Sequence, residues 1–355
     1  VLLAVYAYAF GSYGAGLFSG AEQDFWMHVL INAVIIGLVF INVFGANLVV
    51  RSENFFNVIK MLLLAAFVVA GFLTPMDWSR LAPDNFVSPL GLTAGAMLIF
   101  LNYEGFELIA NAAKDVAHPE RSLPIAYIGG VLVVIALYVL IVMIVVGHLS
   151  FTAILRSSDN ALSIAAEQFM GKAGYLGIAV AALMATSSAI NATFYSTGRL
   201  TYIIAKTGEL PGELERSLRG QHLEGTLIAA VLALLVANFV PLEAIATMGS
   251  AGFLLLFLAV NVANVRLARD TGSRAWISAL AALSTAVALV VLCVEVDENP
   301  ATRNHLWILV GMILTSFVAE IAYRTITGRE IHLLRNQAGA PPVPGSRNRK
   351  PRPAA

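Results

Sequence analysis

Apolar residues in this chain come in long runs separated by short polar segments. Ten runs approach a bilayer-crossing length of about 20 residues: 1–18, 27–48, 54–74, 90–112, 123–148, 173–198, 226–241, 244–265, 275–294 and 304–323. The seventh is short, and Pro241 with Glu243 divides it from the eighth. Strands of a membrane barrel would show about 10 residues with period-two alternation, which these runs lack. The pattern predicts an all-α polytopic membrane protein of about ten transmembrane helices. It also predicts a transmembrane domain over 1–328 and a basic, proline-rich tail over 329–355. The tail reads as a disordered end, with a lipid-headgroup contact as the alternative.

Composition agrees. Of 355 residues, 58% are hydrophobic and 12% charged, against about 45–50% and 25% in a soluble domain. Net charge is zero, and nothing suggests nucleic acid as a partner. Cys293 is the one cysteine and the six histidines are scattered. Neither a disulfide framework nor a metal site is expected, and no cofactor. Charge is instead distributed by side. If Val1 starts in the cytoplasm, 17 of the 22 basic residues fall on inner segments. Only Arg80, Arg156, Lys172 and Arg303 fall outside, and Lys60 remains within a span. The positive-inside rule then places both ends of the chain in the cytoplasm and the protein in the cell membrane. No basic segment precedes the first apolar run, so it does not read as a signal peptide; it reads as lying inside a longer protein.

The fourth run carries the candidate chemistry. "FLNYEGFELIANAAKDVAHPERSLPIA", Phe100 to Ala126, holds Glu104 and Glu107 around Gly105. A charge near the bilayer centre costs roughly 2.5–3.5 kcal/mol on insertion scales, so two acids need a polar site or protonation. Glycine lowers the cost of unwinding a helix, and unwound backbone survives in a membrane only against protein or a watery cavity. The freed N–H groups at a half-helix start attract a carboxylate, and freed carbonyls attract a cation. A break between Leu92–Asn102 and Phe106–Ala113 would create such a site. A continuous helix with both glutamates turned inward is the competing reading.

This stretch resembles the sixth helix and following loop of the amino acid–polyamine–organocation permeases. Gly105, Phe106, Glu107, Asp115, Pro119 and Pro124 match, with His118 where asparagine is common. "ATSSAINATFYSTGRLTYIIAKTGELP", Ala185 to Pro211, resembles the family's eighth helix and the loop after it. The resemblance implies a LeuT-like bundle of two inverted five-helix repeats, with the present spans as the third to twelfth helices. The first broken helix then has no counterpart here. It further implies secondary active transport of an amino acid or related amine. Asn102, Tyr103, Glu104, Gly105, Phe106, Glu107 and Ser250 would meet the substrate. Leu101 stands where some relatives carry a gating aromatic.

Lys60 lies six residues beyond Asn54, about 9 Å along a helix. It either snorkels back to the surface or stands buried as a proton carrier, because burial disfavours an ammonium. In some proton-coupled relatives a lysine of the fifth helix stands where sodium sits in sodium-coupled cousins. Lys60 falls in that helix, so the resemblance favours protons over sodium, with Lys60, Glu107, Ser187 and Ser188 in the coupling region. Thr186, Ser187, Ser188 and Asn191 equally read as polar glue between helices. "GSYGAG", Gly11 to Gly16, reads as close helix packing and not as a nucleotide loop. "TMGSAGF", Thr247 to Phe253, reads as packing or substrate contact. Glu320 pairs with Arg324 at i+4. An exchanger or a non-transporting sensor fits much of the same pattern. A membrane enzyme with Glu104 and Glu107 as acid and base would usually need a nucleophile or metal ligands as well, and no His/Asp cluster stands at a membrane boundary.

Overall fold

The computed structural model describes residues 1–18, 22–44, 46–106, 109, 116–157, 159–206, 210–211, 214, 223–298, 300 and 302–327. The tail and Glu107 lie outside them. Among the described residues twelve α-helices follow one another, with no strand. They are α1 (Leu2–Ala15), α2 (Gln23–Phe44), α3 (Ala46–Leu73), α4 (Pro89–Leu98), α5 (Pro119–His148) and α6 (Phe151–Arg156). Then come α7 (Ala161–Lys206), α8 (Leu223–Phe239), α9 (Leu242–Arg266), α10 (Ala268–Thr271), α11 (Ala275–Glu298) and α12 (Arg303–Thr327). Helices α6 and α10 are short connectors. The other ten fall on the ten apolar runs. Among the described residues, six are long and apolar enough to cross a membrane: α2, α5, α7, α9, α11 and α12.

Local sequence sets several boundaries. Ser88 caps α4 by accepting a hydrogen bond from the Gly91 N–H at 3.2 Å, and Pro89 needs no partner at the first turn. Ser150 caps α6 in the same way through the Ala153 N–H. Helix α7 runs 46 residues but breaks at Gly171, whose φ of 63° and ψ of −161° are not helical. At 1.5 Å per residue the part after Gly171 is about 50 Å long, well beyond the hydrocarbon core. Its polar ends therefore project past the span expected at 173–198.

Among the described residues the bundle has three apolar centres. Leu3, Ala4 and Ala7 of α1 meet Ile31 and Ile35 of α2, Ile190 and Phe194 of α7, and Ala230 and Ala233 of α8. Phe67 of α3 and Ile144 of α5 pack with Ala165, Ala166 and Ile178 of α7. Ala251 and Leu254 of α9 pack with Leu292 and Val296 of α11 and Leu309 of α12. Outward faces are equally apolar: Ile125, Ile128, Leu132, Val133 and Val139 of α5 are all exposed. A helix apolar on every side needs lipid on its outer face.

Small and polar residues hold the helices together. A Cβ at Gly11 would lie 2.7 Å from the Met27 carbonyl oxygen of α2, and one at Gly14 2.6 Å from Leu30 Cδ1. The "GSYGAG" segment is thus a close-packing surface. Gly11→Ala is expected to push α1 off α2 and cost about 1–3 kcal/mol by overpacking, seen as a lower melting temperature in detergent. The Asn42 amide donates to Asn191 Oδ1 at 2.7 Å, joining α2 to α7. His28 Nδ1 lies 2.9 Å from Asn238 Oδ1, and Asn238 donates to Asn32 Oδ1 at 3.1 Å, joining α2 to α8. Thr186 and Ser187, by contrast, bond the carbonyls of Ala182 and Leu183 in their own helix. The expected Glu320–Arg324 pair is formed on α12.

Candidate functional site

Helix α4 stops well short of a full span. After Leu98 the chain tightens into a 3₁₀ turn over Ile99–Tyr103. Glu104 is extended (φ −69°, ψ 155°), and Gly105 follows with φ +115°. A side chain at Gly105 would be strained by about 1–3 kcal/mol, which is why this position requires glycine. The helical path is therefore broken, as the acidic glycine motif predicts. The α-helix ends four residues before the Asn102 expected. Of the expected second half-helix, Phe106 and Ile109 are described.

Ser250 of α9 explains where the helix stops. Its hydroxyl donates to the Leu98 carbonyl at 2.9 Å and accepts from the Leu101 N–H at 3.2 Å. One fully buried side chain thus satisfies a donor and an acceptor that the break frees. Gly249 admits the turn beside it, since a Cβ there would lie 2.6 Å from Leu101 Cδ1. Leu101 is accordingly a buried packing residue. Ser250→Ala is expected to leave both backbone groups without this partner, at about 1–3 kcal/mol each. The checks are a lower melting temperature together with weaker substrate binding.

Around the break the aromatic residues interlock. The Tyr138 hydroxyl of α5 donates to the Asn102 carbonyl at 3.1 Å, and its ring meets Tyr103 edge-on at 5.3 Å. Phe106 stacks on Phe257 of α9 at 5.8 Å and meets Tyr127 of α5 at 6.0 Å. These contacts hold the unwound turn between α5 and α9.

The turn opens on a cavity of about 390 Å³, within the range of small-molecule sites, roughly 300–1,000 Å³. Leu101, Asn102, Tyr103, Glu104, Phe106 and Ile109 form one wall. Leu2, Val5 and Tyr6 of α1 and Gly130, Val131, Val134 and Tyr138 of α5 form the rest. Glu104 is buried at 8% exposure. Both of its carboxylate oxygens are closed off from solvent within the wall, where a buried charge favours a cationic group beside it. The structure thus gathers Asn102, Tyr103, Glu104 and Phe106 at one cavity, with Gly105 in the turn and Ser250 behind it.

Lys60, Ser187 and Ser188 stand elsewhere. Helix α3 packs along α7, with Leu63 against Gly177 and the Phe67 ring 5.3 Å from Phe169. Lys60, Ser187 and Ser188 are all half-buried and none lines the cavity. Sequence reasoning missed Tyr6, Tyr138 and the α5 wall. The signal was weak, since Tyr6 shares its span with Tyr8 and Tyr13, and Tyr138 shares its span with Tyr127.

Comparison with known proteins places this arrangement. The sequence profile of the amino acid permease family matches residues 1–318. An uncharacterized protein of Methanocaldococcus jannaschii is 30% identical over 331 residues, covering 93% of this chain and 75% of that protein. The inner membrane transport protein YbaT of Escherichia coli is 29% identical over 333 residues, 92% of this chain and 76% of its own length. A methylthioribose transporter of Bacillus subtilis is 25% identical over 221 residues, covering 61% of this chain and 46% of the transporter.

Proposed function

The chain belongs to the amino acid permease family of the amino acid–polyamine–organocation superfamily, and from that premise we propose that it is a proton-coupled secondary transporter of amino acids or related amines. The observation that carries the reading is the broken α4 at a cavity holding a buried Glu104. The substrate ammonium sits at Glu104. Its carboxylate meets N–H groups of the chain that follows Gly105, where a half-helix start would supply a positive dipole end. Asn102 and Tyr103 border the same space, and Glu107 follows two residues on. Alternating access moves the cavity between the two faces of the membrane, and Lys60 with Glu107 carries the proton. The basic segments, the C-terminal tail among them, face the cytoplasm. A family membership and transporter relatives support transport over enzymatic turnover.

The test is uptake of radiolabelled amino acids into proteoliposomes holding the full-length protein. A pH gradient, a sodium gradient and no gradient are imposed in turn. Accumulation driven by pH alone is expected. Accumulation that needs sodium would overturn the proton assignment, and counterflow without either gradient would make the protein an exchanger.

A further inference from the structure

We propose that His148 binds a proton at the end of α5 and, as an imidazolium, clamps that end to the end of α3; its effect on transport rests on the reading above, whereas the clamp itself does not. His148 is the last residue of α5, and Thr74 follows the last residue of α3. Two helix C-termini thus meet at one imidazole, where backbone acceptors exceed donors. His148 Nδ1 lies 2.9 Å from the Ile144 carbonyl oxygen, and Nε2 lies 2.9 Å from Thr74 Oγ1. The Thr74 hydroxyl is also 3.0 Å from the Gly71 carbonyl and 3.1 Å from that of Ala70. Gly71 depends on it, because the N–H four residues on would belong to Pro75, which has none.

A carbonyl only accepts, so Nδ1 must carry a proton to bond Ile144. Thr74 has one hydrogen to give. If Nε2 is bare, that hydrogen goes to the ring and the Gly71 carbonyl loses it. If Nε2 also carries a proton, the ring donates to Thr74, and Thr74 donates onward to Gly71 and Ala70. The doubly protonated ring therefore completes a chain of donors from α5 to α3, and its bond to the hydroxyl becomes charge-assisted. Packing sets the spacing. A Cβ at Gly71 would lie 2.5 Å from Ile144 Cγ2, and the Phe169 ring of α7 stands 4.6 Å from the imidazole. Histidine changes charge between about pH 5 and 8. The charged groups on the neighbouring segments are engaged or exposed. Asp77, whose N–H donates to the Gly147 carbonyl, pairs with Arg80 at 3.0 Å. Hydrogen bonds from Ser79 hold the Asp77 carboxyl below the ordinary carboxylate range. Glu167 and Lys172 of α7 and Arg156 of α6 are exposed. Helices α3 and α5 carry no other titratable residue in their last ten positions. Because α5 also supplies the Gly130–Tyr138 wall of the cavity, the clamp fixes one end of that wall against α3.

The experiment uses the full-length protein in nanodiscs and proteoliposomes. Nitrogen NMR of isotope-labelled histidine reads the ring, with His148→Gln identifying its signal. Amide exchange at Leu73, Thr74 and Met76 reads the clamp. At about pH 5 both ring nitrogens are expected to carry protons, and these amides to exchange about tenfold more slowly than in His148→Gln at the same pH. At about pH 8 one nitrogen is bare and the difference shrinks. Counterflow of labelled amino acid, with equal pH on both sides so that no proton gradient acts, is expected to change across the ring's titration. His148→Gln loses that step. Thr74→Val keeps the ring and removes the hydroxyl; its ring still titrates, but its exchange and counterflow follow His148→Gln, and it serves if that variant does not fold. A ring that keeps one protonation state from about pH 5 to 8 would overturn the proposal. So would an exchange difference that is equal at both pH values. Counterflow with one pH profile in all three proteins would overturn the effect on transport. Uptake of no amino acid under any gradient would overturn the transport reading, while the ring spectrum and the amide exchange still decide the clamp.

Discussion

Glu104→Gln is expected to weaken substrate binding by about 10- to 100-fold and to abolish concentrative uptake. The magnitude follows from the loss of a hydrogen bond to a charged group, about 1.5–3 kcal/mol, where about 1.4 kcal/mol is tenfold. Glu104 is buried on the cavity wall, so its charge acts where little water screens it. Glutamine keeps the shape and one carbonyl acceptor but removes the charge. The measurement is a binding isotherm for purified protein, paired with a melting curve. Weak binding at an unchanged melting temperature assigns Glu104 to the ligand. Unchanged binding would remove the carboxylate from recognition. A melting temperature that falls along with binding would make Glu104 a structural support of the turn. Glu104→Ala extends the series, because it also opens the wall.

Much of the fold was legible because lipid makes each helix write its own span into the sequence. Helices α5 and α11 are apolar on faces that meet lipid as well as protein, so hydropathy alone locates them. The ends of α7 were harder, since they leave the hydrocarbon and carry polar residues. The break in α4 was legible for a local reason, a glycine between two acids. Its position was not, because the hydroxyl that terminates the helix comes from Ser250, 149 residues away from Leu101. The sequence allows Ser250 either packing or substrate contact; the structure engages its hydroxyl with the backbone of the break. The α5 wall was illegible for a similar reason. Val131 and Val134 look like any lipid-facing valine until packing turns them toward α1 and the broken turn.

Lys60→Ala is expected to separate binding from coupling. The residue is half-buried on α3, outside the cavity lining, so its loss should leave substrate affinity close to wild type. A proton moving down a difference of one pH unit supplies about 1.4 kcal/mol, enough for about tenfold accumulation of one substrate. If Lys60 carries that proton, the alanine variant equilibrates substrate across the membrane but no longer concentrates it. Lys60→Arg sharpens the test. Arginine keeps the positive charge and the long stem, but does not release its proton in the working range. A lysine that merely snorkels would accept arginine, and both variants would concentrate substrate with the wild-type pH dependence. A lysine that titrates would not, and both would lose pH-driven accumulation while still binding. Accumulation that survives Lys60→Ala with unchanged pH dependence would remove Lys60 from coupling and leave the other expected carrier, Glu107, to be tested in the same assay. The decisive quantity is the ratio of internal to external substrate at a fixed pH difference. It reads coupling directly, whereas an initial rate would also fall with any slowing of the conformational cycle.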